Sequence, residues 1–387
     1  MKRHARGAAL IAAVLVAAVV AAIAVALTTR DRYAILGLER LDEQSLATAL
    51  TREVEVQAAA ALSQDLENSR HDDAHEAWAQ TDYGATRGDF GARGRLRDAQ
   101  RLFNLNALAF QPPTAADEAP DTDVPPPVGE VGEDAADGAG GEDGRAMRAL
   151  RELAGGSGDG VPTPGAPPMT PDAPATPGAD GDAAPAEETL SPQQIAIARF
   201  TLLLQALQLP PEILPAVLDW LDADGDTRFP NGAEDEYYTR LDEPYRAANG
   251  PFADVSELRL VRGITPEIYA KLAPHVCVLG NSVPLNVNTA PAAVLMSLGP
   301  GIDRPTADLL VSSREIQPWV NVAAFLKHPL LVGRPLLAQG LTTRSNWFEL
   351  RTRVDGSAGV LFRRTLNERL APNRLRIARR ERLYVDG

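Results

Sequence analysis

Cysteine is nearly absent. Cys277 is the only one in 387 residues, so no intramolecular disulfide and no cysteine-based metal cluster can form. A lone cysteine of this kind is expected to be a small, buried, apolar residue. Histidine is scarce as well, with five residues, and none stands where a catalytic triad would need it. No Gly-rich phosphate loop and no nucleophilic serine elbow is found. The carboxylates available for acid–base work crowd a single loop, whereas a cleft needs them on two facing walls. The chain is therefore not expected to be an enzyme. A basic excess is lacking too: 38 Lys and Arg stand against 52 Asp and Glu, a net charge of −14.

That acidity is local. Residues 111–190 hold 17 Asp and Glu against 3 Arg, and the rest of the chain is balanced at 35 of each sign. The segment is low in complexity, rich in Pro, Gly and Ala, and without aromatic residues. It cannot bury enough apolar surface to offset chain entropy, so a disordered acidic insertion is expected, with at most a helical turn at Met147–Leu153.

Ahead of it stands the longest apolar run. Ala8 to Leu27 is twenty residues without a charge, about 30 Å as a helix and one hydrocarbon thickness. Lys2, Arg3 and Arg6 precede it, which places the N-terminus in the cytoplasm and the bulk of the chain outside it. The site after Leu27 is a poor one for signal cleavage. A plain membrane anchor remains open, as does a leader cut at Gly7 that leaves the helix in place. Beyond Thr28, Leu38, Leu41, Leu46, Leu50, Val54 and Ala58 recur at helical spacing. One continuous rod of roughly 55–60 residues follows from this, about 85 Å long.

From His71 to Arg101 the chain is polar and Gly-rich, and His71, Asp72, Asp73 and His75 read as a solvated loop rather than as metal ligands. Phe103, Leu105 and Ala107 alternate with Asn104 and Asn106, the pattern of a half-buried strand. After the acidic segment, Ser191-Pro192 opens a helix as N-cap and first residue, and a second short helix runs from Pro211 to Trp220. Between Leu221 and Tyr238 lie Asp222, Asp224, Asp226, Glu234, Asp235 and Glu236 with one cation, Arg228. Carboxylates this dense repel unless a cation sits among them. The Asp-x-Asp-Gly-Asp spacing begins like an EF-hand loop, but Thr227 and Ala233 stand where that motif needs Gly and Glu. Oxygen-only donors favour calcium over zinc or copper.

Two further stretches, Asp254–Tyr269 and Ala290–Leu310, read as helix, hydrophobic-Gly-hydrophobic turn, helix. Such hairpins offer backbone N–H groups to DNA phosphates in some proteins. The acid-rich surroundings argue for a packing module instead, with no nucleic-acid partner. The tail returns to alternation at Phe348–Val354, Val360–Leu366 and Arg374–Val385, with Gly356, Gly359 and Pro372-Asn373 as turns. Its arginines, from Arg363 to Arg382, read as a solvated strand face. The strands are expected to complete a sheet begun near Phe103.

The runs Leu218-Asp-Trp-Leu-Asp-Ala-Asp…Gly232-Ala-Glu-Asp-Glu-Tyr-Tyr238, Pro244–Thr265 and Leu285-Asn-Val-Asn-Thr-Ala-Pro-Ala-Ala-Val-Leu295 resemble the GspK family, the large minor pseudopilins of bacterial type II secretion. Arg95–Ala109 resembles that family's first head strand. The resemblance spans the chain except for 111–190. It implies an α+β fold: a long N-terminal transmembrane pilin helix, a pilin-like antiparallel sheet head and an inserted all-α, SAM-like domain. The expected divisions are a prepilin leader 1–7, a transmembrane helix 8–27, its periplasmic extension 28–70, head segments 71–110 and 341–387, the insertion 111–190, and a helical domain 191–340 with the acidic loop 219–238.

On the same resemblance, prepilin peptidase cuts between Gly7 and Ala8, and Ala8 becomes a methylated first residue. Ala12 stands where most pseudopilins carry Glu, as suits the topmost subunit. Calcium is the implied cofactor, with Asp222, Asp224, Asp226, Glu234 and Asp235 as the pool of ligands. The implied role is a tip subunit that initiates pseudopilus assembly with minor pseudopilins I and J. It would sit single-pass in the inner membrane with a periplasmic head.

Overall fold

The computed structural model describes residues 2–109, 190–356, 359–371 and 374–383. The expected disordered insertion, with the turn at Met147–Leu153, lies outside them. Helices and an antiparallel sheet divide between two compact units. Unit 1 comprises Met1–Ser69, His75–Arg97 and Trp347–Gly387; unit 2 comprises Arg70–Ala74 and Asp98–Asn346.

In unit 1, helix α1 runs without a break from Lys2 to Asn68, about 100 Å at the helical rise. Its apolar stripe enters a core from Ala47 onward: Leu50, Val54, Ala58 and Leu62 are all buried. Burial of each larger side chain contributes about 1.5–3 kcal/mol. The stripe packs on a five-stranded sheet whose strands lie in the order Tyr83–Arg87, Phe90–Asp98, Trp347–Gly356, Gly359–Ala371, Arg374–Leu383. Strands β1 (Tyr83–Arg87) and β2 (Phe90–Asp98) form an antiparallel hairpin that turns at Gly88, whose φ of +60° an L side chain rarely adopts. Strands β7 (Trp347–Gly356), β8 (Gly359–Ala371) and β9 (Arg374–Leu383) pair antiparallel. Gly94 lets α1 approach closely, because a Cβ there would meet Val54 at 2.7 Å and Leu350 at 3.1 Å.

Two expectations fail in this unit. The region 83–98, in which only a polar, Gly-rich composition and a head strand from Arg95 were expected, is a hairpin whose inward positions Tyr83, Ala85, Ala92 and Leu96 are buried. The C-terminal strands therefore complete a sheet begun at Tyr83, not near Phe103. The tail arginines are not simply solvated either. Arg380 grips the buried Glu55 of α1 with two bonds of 2.8 and 2.9 Å, and Thr365 donates a third at 2.8 Å. Despite burial, these donors hold the Glu55 carboxyl below the usual carboxylate range. Arg369 reaches Asp65 at 3.4 Å, and Arg364 pairs with Glu381.

Among the described residues, no helix is long and apolar enough to cross a membrane. The side chains of residues 1–14 lie outside that set, so the expected span 8–27 is described only from Leu15. From there Leu15, Val16, Val19, Val20, Ile23, Val25 and Leu27 are all exposed.

Unit 2 is built of short helices around a second core. The helix Pro192–Ala206 starts on a capping box, Ser191 with Gln194, as its sequence indicates. Phe200, Leu203 and Leu204 on it pack with Phe103, Leu105, Trp220 and Tyr238. The two expected hairpins are present: Val255–Leu260 and Pro266–Leu272 turn at Gly263 (φ +83°), and Ala292–Met296 is followed by Arg304–Ile316. Cys277 is buried, as expected.

The strand expected over 103–107 is mostly a 3-10 turn. Only Phe103–Asn104 (β3) is extended, paired parallel with Val276–Cys277 (β4), and Leu105–Leu108 coils. Asn104 and Asn106 are not a solvent face but buried fasteners. Asn106 donates to Phe252 O (3.1 Å) and Leu279 O (2.9 Å), and its Oδ1 accepts from Phe252 N (2.8 Å). Asn104 Oδ1 accepts from Leu279 N at 3.0 Å. Alternation failed here because the two asparagine side chains bond backbone groups of Phe252 and Leu279, far along the chain, in place of water.

A second set of fasteners surrounds Asp98. Its Oδ2 accepts from Asn286 Nδ2 (2.9 Å), Ser345 Oγ (2.7 Å) and Thr289, and its Oδ1 from Gln100 N (2.7 Å). Asn286 Nδ2 also faces Asp72 O (3.0 Å), and Asp72 Oδ2 accepts from Ser345 N (2.7 Å). Asp72 and Asp73, read as part of a solvated loop, are buried. Burial is the main reason the Asp98 carboxyl is pushed up to about 6, with the nearby Asp72 charge adding to it.

Candidate metal centre

The acidic loop begins where the helix Leu214–Leu221 runs out and ends where Asp235–Tyr238 begins. Its base is aromatic. Trp220 meets Tyr238 edge-on at 5.4 Å, and Tyr238 stacks on Tyr245 at 5.2 Å. Arg262 ties the loop to this base, its side chain donating to Gly232 O at 2.8 Å and its N–H to Tyr238 Oη at 3.2 Å.

Asp219, fully buried, organises the loop from below. Its carboxylate accepts from Arg228 N (3.1 Å) and Arg228 NH1 (2.8 Å), and the same guanidinium nitrogen bonds Asp222 Oδ2. Gly232 closes over that pair so tightly that a Cβ would overlap both Asp219 Oδ2 and the Arg228 carbonyl oxygen. Gly232→Ala is expected to displace the loop and cost about 2–4 kcal/mol of unit 2 stability, read by denaturant unfolding. A loss below about half a kcal/mol would show the loop to be slack.

Of the five expected ligands, three come together. Asp222, Asp224 and Glu234 each bring one oxygen within 4.8 Å of the others. Asp226 stands outside the group on an exposed turn, its N–H bonded to Asp224 Oδ1 at 2.9 Å. Asp235 is engaged elsewhere, accepting from Ala247 N at 2.9 Å beside Arg246 at 3.6 Å. Asp219 is the residue that spacing missed. It lies a helical turn before the Asp-x-Asp run, and only its place in Leu218-Asp-Trp220 hinted at a role.

The donors of this group fit a divalent cation. Glu234 is 3% exposed, and both of its carboxylate oxygens lack a hydrogen-bond partner, as does Asp222 Oδ1. Burial pushes the Glu234 carboxyl up to about 7, and the charges of Asp219, Asp222, Asp224 and Asp235 push the same way. Burial likewise raises Asp222, even with Arg228 against it. Three orphaned buried oxygens are what an oxygen-seeking divalent ion satisfies.

Comparison with known proteins finds relatives over these residues. Residues 179–281 and 285–344 match two family models, both described as type II secretion system protein K. The chain is 38% identical over 154 residues to type II secretion system protein K of Klebsiella pneumoniae, covering 36% of this chain and 47% of that one. It is 37% identical over 142 residues to that of Pseudomonas aeruginosa, covering 36% and 42%. The chain thus spans about half the length of the curated relatives it matches.

In fold it is similar to a chain of the crystal structure of the GspK–GspI–GspJ complex from the enterotoxigenic Escherichia coli type 2 secretion system. The TM-score is 0.63 at 23% identity, over 89% of this chain and 99% of that one. The acidic loop, the Asn286–Thr289 motif and both hairpins fall inside the matched residues. Over residues 179–344 the chain is therefore similar to type II secretion system protein K.

Proposed function

We propose that this protein is a minor pseudopilin at the tip of a type II secretion pseudopilus, where it starts assembly with the I and J minor pseudopilins for export across the outer membrane. The observation that carries the reading is a conjunction. Unit 2 matches the protein K models, and unit 1 is a long helix laid on an antiparallel sheet, as a pilin-like subunit requires. The fold likeness to a chain solved with GspI and GspJ supports those two partners. In this reading, unit 2 is a SAM-like module inserted in a pilin head.

The exposed apolar stretch from Leu15 to Leu27 supports an inner-membrane helix with the head in the periplasm, since seven large apolar side chains in water would be costly. Gly7 and Ala8 fall in α1, with side chains outside the described set, and remain the proposed point of prepilin peptidase cleavage. Calcium is the proposed ion of the acidic loop, held by Asp222, Asp224 and Glu234. It would neutralise their mutual repulsion and pin the loop between the two helices it joins.

The test is the intact N-terminal mass of the protein drawn from its native membrane, together with capture of the I and J pseudopilins. A chain starting at methylated Ala8 and bound to both is the expected result. A start at Met1 in cells with active prepilin peptidase, and no capture, would leave an anchored calcium-binding module and end the assembly reading.

A further inference from the structure

Unit 2 encloses a cavity of about 450 Å³, away from the acidic loop. Pockets of about 300–1,000 Å³ with apolar walls and a few polar groups are the usual form of small-molecule sites. The walls here include Leu102, Phe103, Ala107, Ala196 and Leu285. Gln100, Asn104, Asn281, Ser282 and Gln339 supply the polar groups, and one further wall residue carries a full charge.

Arg199, on the helix Pro192–Ala206, is 7% exposed. Its NH2 group donates to the carbonyl oxygens of Leu337 and, at 2.6 Å, Gln339. Its Nε has no partner. Among the described residues no carboxylate pairs with it, and burial alone pushes its pKa down to about 10. Buried guanidinium groups are normally matched by an anion, because carbonyl dipoles compensate the lost hydration only in part. An arginine fork matches a planar carboxylate with two parallel N–H bonds, and the mostly apolar walls suit a carboxylate that carries a hydrocarbon body. A buried, unmatched cation on the wall of an apolar cavity is half of an ion pair with room for the other half.

We propose that this cavity binds a small apolar carboxylic acid, its carboxylate on the Arg199 guanidinium and its hydrocarbon body between Phe103, Ala196 and Leu285. The site is independent of the acidic loop and of the secretion reading.

The probe is 4-phenylbutyrate, with 4-phenylbutanol as its neutral counterpart, titrated by calorimetry into the purified full chain. Expected is saturable binding of the acid and binding of the alcohol weaker by about tenfold or more, the factor a charge-assisted bond supplies. Arg199→Met should lower affinity for the acid by a similar factor and leave the alcohol unchanged. Because Arg199→Met also strips two carbonyls of their donor, Ala107→Leu provides a second variant. It keeps the arginine, narrows the cavity, and should abolish binding of acid and alcohol alike. No heat at millimolar acid, equal affinity for acid and alcohol, or full binding by Ala107→Leu would each overturn the proposal.

Discussion

Asn286→Ala is expected to cost unit 2 about 3–5 kcal/mol. The side chain is fully buried, and its amide faces Asp98 Oδ2, Ser345 Oγ and Asp72 O while its Oδ1 accepts from Asn288 N at 2.9 Å. Truncation removes little apolar area, so packing is not the source of the loss. The source is the Asp98 carboxylate, which stays buried after losing a donor. A lost bond to a buried charge costs about 1.5–3 kcal/mol and Asn288 N loses its acceptor as well, whereas an ordinary neutral hydrogen bond contributes about 1. Asn286→Asp should do at least as much harm, since it sets a second negative charge against Asp98. Calcium should rescue neither variant, because the acidic loop does not share this network. Denaturant unfolding of the purified protein reads the effect. A loss below about 1 kcal/mol would mean that water replaces the amide and that the network is not closed.

That network also marks where sequence reading stops. The stripe on α1, the Ser191 cap, the two hairpins and the three C-terminal strands were legible because each follows from a period or a local cap. The hairpin Tyr83–Asp98 was not. Gly84, Gly91 and Gly94 interrupt its alternation, and the glycine at 94 is there for the approach of α1, a tertiary reason. Asn104 and Asn106 misled in the opposite sense. Polar residues alternating with apolar ones imitate a half-exposed strand, and only their partners at Phe252 and Leu279, over 140 residues away in sequence, reveal them as interior fasteners.

At the candidate metal centre, the crowding of carboxylates was visible in the sequence, but the division of labour was not. Spacing along the chain cannot tell Asp226, which turns outward, from Glu234, which turns in. Nor can it show that Asp219 holds Arg228 in place beneath the loop. Those distinctions depend on how the loop folds back over Gly232.

Stripped of divalent ions, the protein is expected to lose stability as pH rises, and calcium should reverse the trend. Glu234 has a folded-state pKa near 7 against an ordinary value of 4.5, so the folded state holds this proton more tightly than the unfolded chain does. The stabilisation is complete below about 4.5 and is lost as pH climbs through about 7. The loss is on the order of 3 kcal/mol, roughly 5–10 °C in Tm for a unit of this size. Asp222 acts in the same direction. Asp98, raised to about 6, adds a parallel slope of its own, so wild-type melting alone does not isolate the loop.

Glu234→Gln does isolate it. In chelator, the variant should lose most of the slope between pH 5 and 8 that Asp98 does not account for, and at pH 8 it should melt above the wild type, because a buried charge has been removed. With calcium the order inverts. The ion takes the place of the proton between the carboxylates, so the wild type gains about 2.7 kcal/mol at a hundredfold excess over its Kd, and the variant gains far less for want of one anionic ligand. Melting curves at pH 5 and pH 8, with calcium and with chelator, give all four comparisons. If wild type and variant move together under every condition, Glu234 is a passive buried carboxyl and the acidic loop is not where calcium acts.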